Sequence, residues 1–251
     1  MITVKLGTSD PDVLYLQRFL GLVPDGKFGT KTETALKEWQ SSCGLTADGV
    51  AGPKTWDTIM SKTRDKISED SWKKLAGELG CEVAVLKAIK GVETGAKGAF
   101  DNSGRPSLLF EAHLFWRNLQ ALGINPVGIA AKHPGILAKA WNKALYKGGI
   151  REWDRLREAW GVSPKAAIQS ASYGFPQILG QNFKDPFGFV ADSYMSEVKQ
   201  LEFFGRFLKG NGFAPFLQKK DWCGIARKYN GASYAKNQYD KKLEVAYRRY
   251  K

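Results

Sequence analysis

Hydrophobic positions in this 251-residue chain recur mostly at three- and four-residue spacing, the period that places them on one face of a helix. Near the N-terminus, Asp10 and Pro11 can open a helix in which Val13, Leu16 and Leu20 form an apolar stripe, and Gly21 can end it. Two copies of one segment follow, DGKFGTKTETAL from Asp25 to Leu36 and DGVAGPKTWDTI from Asp48 to Ile59, offset by 23 residues. Their shared Asp-Gly-x-x-Gly-x-Lys-Thr predicts a turn followed by a helix start. The glycines permit positive φ, Thr30 and Pro53 suit the first helical positions, and the apolar residues beyond supply a buried face. Residues 1–61 are thus expected to form a compact three-helix unit.

The polar stretch Ser61 to Asp70 has Ile67 as its one large apolar residue, which places a linker at 62–69 and a second domain at 70–251. The second domain also carries a helical pattern. Asp70 can cap a helix running to about Leu79, and Gly80 separates it from another over Glu82 to Val92, whose stripe is Val83, Val85, Leu86, Ile89 and Val92. Asp101-Asn102-Ser103-Gly104 is a turn signal between short stretches that could pair as a hairpin. A helix from about Glu111 follows, with others expected over Ile136–Tyr146, Trp153–Trp160, Pro164–Ser170, Ser193–Leu208, Trp222–Tyr229 and Lys236 to the end. The predicted fold class is mainly α: a three-helix domain, then a mostly helical domain with one small β-hairpin.

An apolar content of 43% with abundant aromatic residues fits a folded protein. The net charge of +13 changes the picture, because it predicts attraction to a polyanion: nucleic acid, an anionic membrane face or a cell-wall polymer. Residues 1–66 hold nine Lys and Arg against eight Asp and Glu, so almost all of the excess lies in the second domain. No zinc spacing, RNA-binding motif or phosphate loop is present, which argues against nucleic acid as the partner. Cys43, Cys81 and Cys223 are odd in number and widely spaced, as expected of reduced, mostly buried thiols. No residue cluster implies a metal or organic cofactor. The N-terminus lacks a secretory pattern and no apolar run could span a bilayer, so a location in the cytoplasm is expected, with another factor releasing the protein if its substrate lies outside.

One carboxylate stands out chemically. Glu93 falls at the end of the predicted Glu82–Val92 helix, just before Gly95, where the negative end of the helix dipole and neighbours such as Val92 and Phe100 disfavour its ionised form. A glutamic acid kept protonated near neutral pH is what glycoside cleavage requires of its general acid. The alternative is a surface residue that merely ends an amphipathic helix. Three other segments add candidates. Ser170 to Gly180 packs glycines, an aromatic and an amide as a sugar subsite would, with Ser172, Tyr173, Gly174 and Gln177 as its contacts. Tyr229 and Asn230 lie at a predicted helix end, and Glu111 stands near His113 after the hairpin. Singly, these segments are also explained as a turn, a helix C-cap and a helix start.

Taken in order, Leu6-Gly7, Leu16-Gln17, Asp25-Gly26-Lys27-Phe28-Gly29, Thr32, Ala35-Leu36, Trp39-Gln40, Gly44-Leu45, Asp48-Gly49-Val50, Gly52 and Thr55-Trp56 resemble the peptidoglycan-binding domain of wall hydrolases. That resemblance implies a binding module, with Asp25, Phe28 and Gln40 as candidate contacts. In the second domain, a Glu at a helix end, a Gly-x-x-Gln stretch and Tyr229-Asn230-Gly231 are similar to the lytic transglycosylase and goose-type lysozyme group. The longer series is Val92-Glu93, Gly98-Ala99-Phe100, Gly104-Arg105-Pro106, Leu109-Phe110-Glu111-x-His113, Ala171-Ser172-Tyr173-Gly174, Glu197-x-x-Gln200-Leu201 and Tyr229-Asn230-Gly231. It resembles the N-acetylmuramidase domain of phage endolysins, with Tyr173 where Trp is usual.

The resemblance implies a lysozyme-like fold and a bacteriolytic enzyme that binds peptidoglycan and cuts the β-1,4 bond between MurNAc and GlcNAc. Glu93 would be the general acid; Glu111 and Asp101 are the sequence's candidates for a second carboxylate, without a role that the resemblance assigns. It also implies a holin for release; action on periplasmic peptidoglycan after that release and a monomeric form are further expectations. Asp101 is equally explained by turn chemistry and Glu111 by a structural role. A lytic transglycosylase producing 1,6-anhydro ends, in which Glu93 acts as acid and then as base, remains open at this point, as does a non-catalytic wall-binding protein. The basic C-terminal run from Lys236 is expected to be a packing helix, with weak outer-membrane interaction as its other reading.

Overall fold

A computed structural model describes the chain apart from residues 95–97, so Gly95, which follows the predicted end of the Glu93 helix, lies outside the described residues. The N-terminal module has helices α1 (Pro11–Phe19), α2 (Thr30–Ser42) and α3 (Pro53–Thr63). Asp10 caps α1 by accepting the Asp12 N–H at 2.8 Å, and Gly21 turns the chain away at φ +74°. The repeat has a clear physical basis. Gln17 Oε1 accepts the N–H groups of Asp25 and Gly26 at 2.9 Å, while its Nε2 reaches Asp25 Oδ1, the Lys27 carbonyl and Thr32 Oγ1. Gln40 repeats this pattern with the Gly49 N–H, Asp48 Oδ1, the Val50 carbonyl and Thr55 Oγ1. A buried amide thus ties each Asp-Gly turn to the helix before it.

The rest of the chain forms α4 (Glu69–Leu79), α5 (Val83–Thr94), β1 (Leu108–Phe110), α6 (Ala112–Ala121), α7 (Pro126–Lys132), α8 (Arg151–Val162), α9 (Pro164–Gln169), β2 (Ala171–Tyr173), β3 (Ile178–Leu179), α10 (Pro186–Met195), α11 (Glu197–Gly210), α12 (Ala214–Lys219), α13 (Trp222–Asn230) and α14 (Tyr239–Tyr250). The mainly helical class holds, with local differences. Ser68 rather than Asp70 caps α4, accepting the Ser71 N–H at 3.1 Å. The expected hairpin is reduced to a Phe100–Pro106 bridge around the Asp101 turn, and the sheet is instead three-stranded and antiparallel in the order β1-β2-β3, pairing Phe110 with Ala171 and Tyr173 with Ile178. Over Ile136–Tyr146 only Lys143–Leu145 turns, as a 3-10 segment. Ile136 and Leu137 are buried while Trp141 faces solvent, so no continuous apolar face draws the stretch into a helix. The helix expected over Ser193–Leu208 breaks at Ser196, whose extended backbone (φ −163°) lets its hydroxyl cap α11. Cys43 and Cys81 are half-buried and Cys223 is exposed, all as free thiols, which corrects the expectation of mostly buried cysteines. Among the described residues no helix is long and apolar enough to cross a membrane.

Two hydrophobic cores form, and their division does not follow the sequence modules. The first joins Val13, Tyr15, Leu36, Trp56 and Ile59 of the N-terminal module to Phe110, Phe115, Trp153, Trp160, Tyr173 and Tyr194. The second holds Trp72, Leu86, Ile89, Phe175, Phe204, Phe213, Ile225 and Leu243, and so packs α4, α5 and α11–α14 together. The modules are bolted together polar-side as well. Asp12, wholly buried on α1, accepts hydrogen bonds from Arg105 at 2.6 and 2.9 Å, Arg157 at 3.1 Å, the Tyr194 hydroxyl at 2.9 Å and the Ile2 N–H at 2.9 Å. Gly26 at φ +72° gives the Trp160 ring room to close over the first repeat turn, since a Cβ there would collide with it. The polar stretch between the modules is packed too: α3 runs to Thr63, Arg64 lies 3.8 Å from the Phe100 ring centroid, and Ile67 packs on the second core.

Candidate active site

Glu93 occupies the last turn of α5, a helix held in place by α4 on one side and α14 on the other. Ile89 and Val85 bury the inner face of α5, which fixes where its C-terminal end emerges. The carboxyl is half-buried, and its hydrogen-bond partner is the hydroxyl of Tyr239, which donates to Oε1 from the first residue of α14. Tyr239 stacks on Tyr229 at 6.4 Å and 19°, and Tyr229 in turn donates to the Pro176 carbonyl at 2.8 Å. No cation pairs with Glu93 among the described residues. Burial therefore acts without an opposing positive charge among the described residues and pushes its pKa from the ordinary 4.5 up to about 8. The same burial, with the nearby Glu93 charge, raises Tyr229 well above the usual phenol range.

The other sequence-predicted carboxylates, both half-buried, have their own partners away from Glu93. Asp101 Oδ1 accepts the Ser103 N–H at 2.8 Å, the Ser103 hydroxyl at 2.6 Å and the Arg105 N–H at 3.1 Å, so it builds its own turn. That turn lines a groove of about 400 Å³ with Phe100, Ser107, Leu108 and Ile150. Glu111 precedes α6 without capping it. Its Oε2 accepts the Tyr146 hydroxyl at 2.5 Å and lies 3.4 Å from His113 Nδ1. Tyr146 also accepts the indole N–H of Trp141 at 2.8 Å, and that indole is 61% exposed. An open aromatic surface therefore stands beside Glu111.

A sequence profile of the N-acetylmuramidase family matches residues 82–251, and one for a peptidoglycan binding domain matches residues 12–59. The chain belongs to the N-acetylmuramidase family. Its members are peptidoglycan glycosidases, and the pairing of the two modules is that of an endolysin. The chain is similar to the crystal structure of the Burkholderia AP3 phage endolysin, with 36% identity and a TM-score of 0.66 over 99% of this chain and 98% of that one. A shorter likeness, 50% over 44 residues, is to the zinc D-Ala-D-Ala carboxypeptidase of Streptomyces albus G. It covers 18% of this chain and 17% of that enzyme.

In this muramidase the Ser170–Gly180 segment is internal architecture rather than an open subsite wall. Tyr173, expected as a platform, is 1% exposed and donates its hydroxyl to the Ile168 carbonyl at 3.2 Å. Gly174 is required by Gln200, whose amide would collide with a Cβ there and which accepts the Phe175 N–H at 2.8 Å. Ser172 donates to Gln177 Oε1 at 3.0 Å, and Gln177 Nε2 is spent on the Gly174 and Ser107 carbonyls. The loop is pinned by its own polar groups because β2 and β3 leave too few backbone partners to do so. Asn230, by contrast, is exposed at the end of α13. In the N-terminal module of the muramidase, Phe28 and Gln40 are 2% and 1% exposed and belong to the core and the turn tie. Neither is a surface contact, whereas Asp25 is exposed. Sequence reasoning missed Tyr239, Tyr146 and Trp141. The only local sign of Tyr239 was an aromatic at the head of a basic amphipathic run.

Proposed function

We propose that the protein is a bacteriolytic muramidase that holds peptidoglycan with its first module and cuts the MurNAc to GlcNAc β-1,4 bond with Glu93 as general acid. The observation that carries this reading is a helix-end glutamic acid with a pKa raised to about 8 by burial and no cationic partner among the described residues, so it remains protonated at neutral pH. The Tyr239 hydroxyl fixes the orientation of the carboxyl so that its proton is aimed at the glycosidic oxygen. Trp141 offers an aromatic face on which a sugar can stack, the role that Tyr173 cannot fill from inside the core. Release from the cytoplasm is assigned to a separate factor of the holin type, with wall polymer in the periplasm as the target.

A second reading has a specific observation in its favour. Asp101 and Glu111 are each engaged elsewhere, and neither contacts Glu93 among the described residues. A lone acid that returns as base toward the sugar's own 6-hydroxyl would make the enzyme a lytic transglycosylase. Mass spectrometry of fragments released from purified peptidoglycan separates the two. Hydrated, borohydride-reducible MurNAc ends that vanish in Glu93→Gln support hydrolysis. Ends lighter by one water support transglycosylation, and unchanged release by the variant overturns the assignment of Glu93.

A further inference from the structure

The α5–α14 pair that carries Glu93 and Tyr239 has a feature that glycan cleavage alone does not use. Between α5 and α14 runs a groove of about 720 Å³ lined by Lys90, Lys241, Lys242 and Arg249 together with the apolar side chains of Val245 and Tyr250. It holds no carboxylate in its lining, although α14 carries Asp240 and Glu244 elsewhere. Lys90 is paired with Glu197 at 3.2 Å, but Lys241, Lys242 and Arg249 have no ion-pair partner among the described residues. Neighbouring cations on the same helices do find partners: Arg248 of α14 pairs with Glu244 and Lys87 of α5 with Glu69. Gly91 lets the Tyr250 hydroxyl settle against α5, where a Cβ would crowd it at 3.2 Å. Val245 and Tyr250 are each about half exposed, leaving apolar surface between the charges.

Resting on the muramidase reading, we infer that this groove receives the acidic stem peptide of peptidoglycan. The groove is lined by Gly91 and Val92, the residues just before Glu93 in the chain, and by Gln238, just before its hydrogen-bond partner Tyr239. A polymer with its MurNAc bond at Glu93 carries a short peptide on that same MurNAc residue. That peptide combines free carboxylates with alanine methyl groups, the chemistry matched by unpaired cations set among exposed apolar side chains.

The test uses the full chain in a Glu93→Gln background, so that binding is read without turnover, and compares it with the same chain carrying Lys241→Ala, Lys242→Ala and Arg249→Ala. Affinity is measured by fluorescence anisotropy for tetrasaccharides bearing stem peptides and for the same glycans stripped of them by an amidase. Three exposed charge contacts together are worth roughly a tenfold change. The expected result is that loss for the stem-bearing ligand and no change for the stripped one. Equal losses on both ligands, or no loss on either, overturn the inference. So does loss of binding to anionic phospholipid vesicles with stem-peptide affinity intact, which would give the groove to a membrane surface. Failure of the functional reading is seen separately, as fragment release that survives Glu93→Gln.

Discussion

Asp12 and Glu93 are both carboxylates withdrawn from water at helix ends, yet their surroundings give them opposite charge states. Asp12 lies in the first turn of α1, where the helix dipole favours an anion. Burial would raise its pKa, but the Arg105 hydrogen bonds, the charges of Arg105 and Arg157 and the Ile2 N–H outweigh it and leave the pKa below the ordinary carboxylate range. Glu93 lies in the last turn of α5, where the dipole disfavours an anion, and among the described residues it meets a phenol rather than a cation. Its pKa rises to about 8. Burial is common to both sites, so the neighbours decide which carboxyl is a permanent charge and which keeps its proton at neutral pH.

The comparison is sharpened most strongly at Glu93 itself. Glu93→Gln should lower kcat/KM on peptidoglycan by about a thousandfold, within the range for loss of a general acid, with the melting temperature unchanged or raised. The pH dependence has a definite sign. The folded state holds the Glu93 proton more tightly than the unfolded chain, so the associated stability is present below pH 4.5 and is lost as pH rises through about 8. The proposed general-acid role needs the protonated form, so on that proposal kcat/KM should decline above about pH 8. Thermal scans of wild type should lose stability between pH 5 and 9 to an extent that Glu93→Gln does not.

Asp12→Ala should produce the next largest effect, this time on stability. It leaves Arg105 buried without its partner, which should cost about 3–5 kcal/mol and lower the melting temperature by about 10 °C. Here the sign reverses. The depressed pKa gives stability that is present above the ordinary carboxylate range and lost as pH falls through the folded value, so acid scans should separate this variant from wild type less as pH drops. A near-wild-type melting point would mean that the seam between the modules contributes little to holding them together.

Tyr239→Phe should reduce kcat about tenfold while leaving the fold intact, because the ring keeps its stack on Tyr229. The hydroxyl donates to the carboxylate form of Glu93, so its removal should move the alkaline limb of the rate profile upward. Trp141→Ala should be the mildest: stability within about 0.5 kcal/mol, as for an exposed side chain, and a severalfold rise in KM if sugars stack there.

Much of the local structure was legible because it depends on neighbours in sequence. Asp10 and Pro11 open α1, Gly80 closes α4, and Thr30 and Pro53 begin the two repeat helices, each through a cap or turn that a few residues specify. The helix over Ile136–Tyr146 failed because apolar spacing does not say which side chains will share a core. Tyr173 failed for the same reason: an aromatic beside two glycines suits a buried ring as well as an exposed platform.

By itself, the sequence determined the helical class, the two modules and the carboxyl at the end of α5, since periodicity and capping are local properties of the chain. Tertiary structure alone decided that the modules share a core, that Arg105 finds Asp12 across 93 residues and that Tyr239 finds Glu93 across 146. Those pairings set the charge on each acid, because a pKa answers to burial and to the nearest charges and donors, and here most of these come from distant parts of the chain.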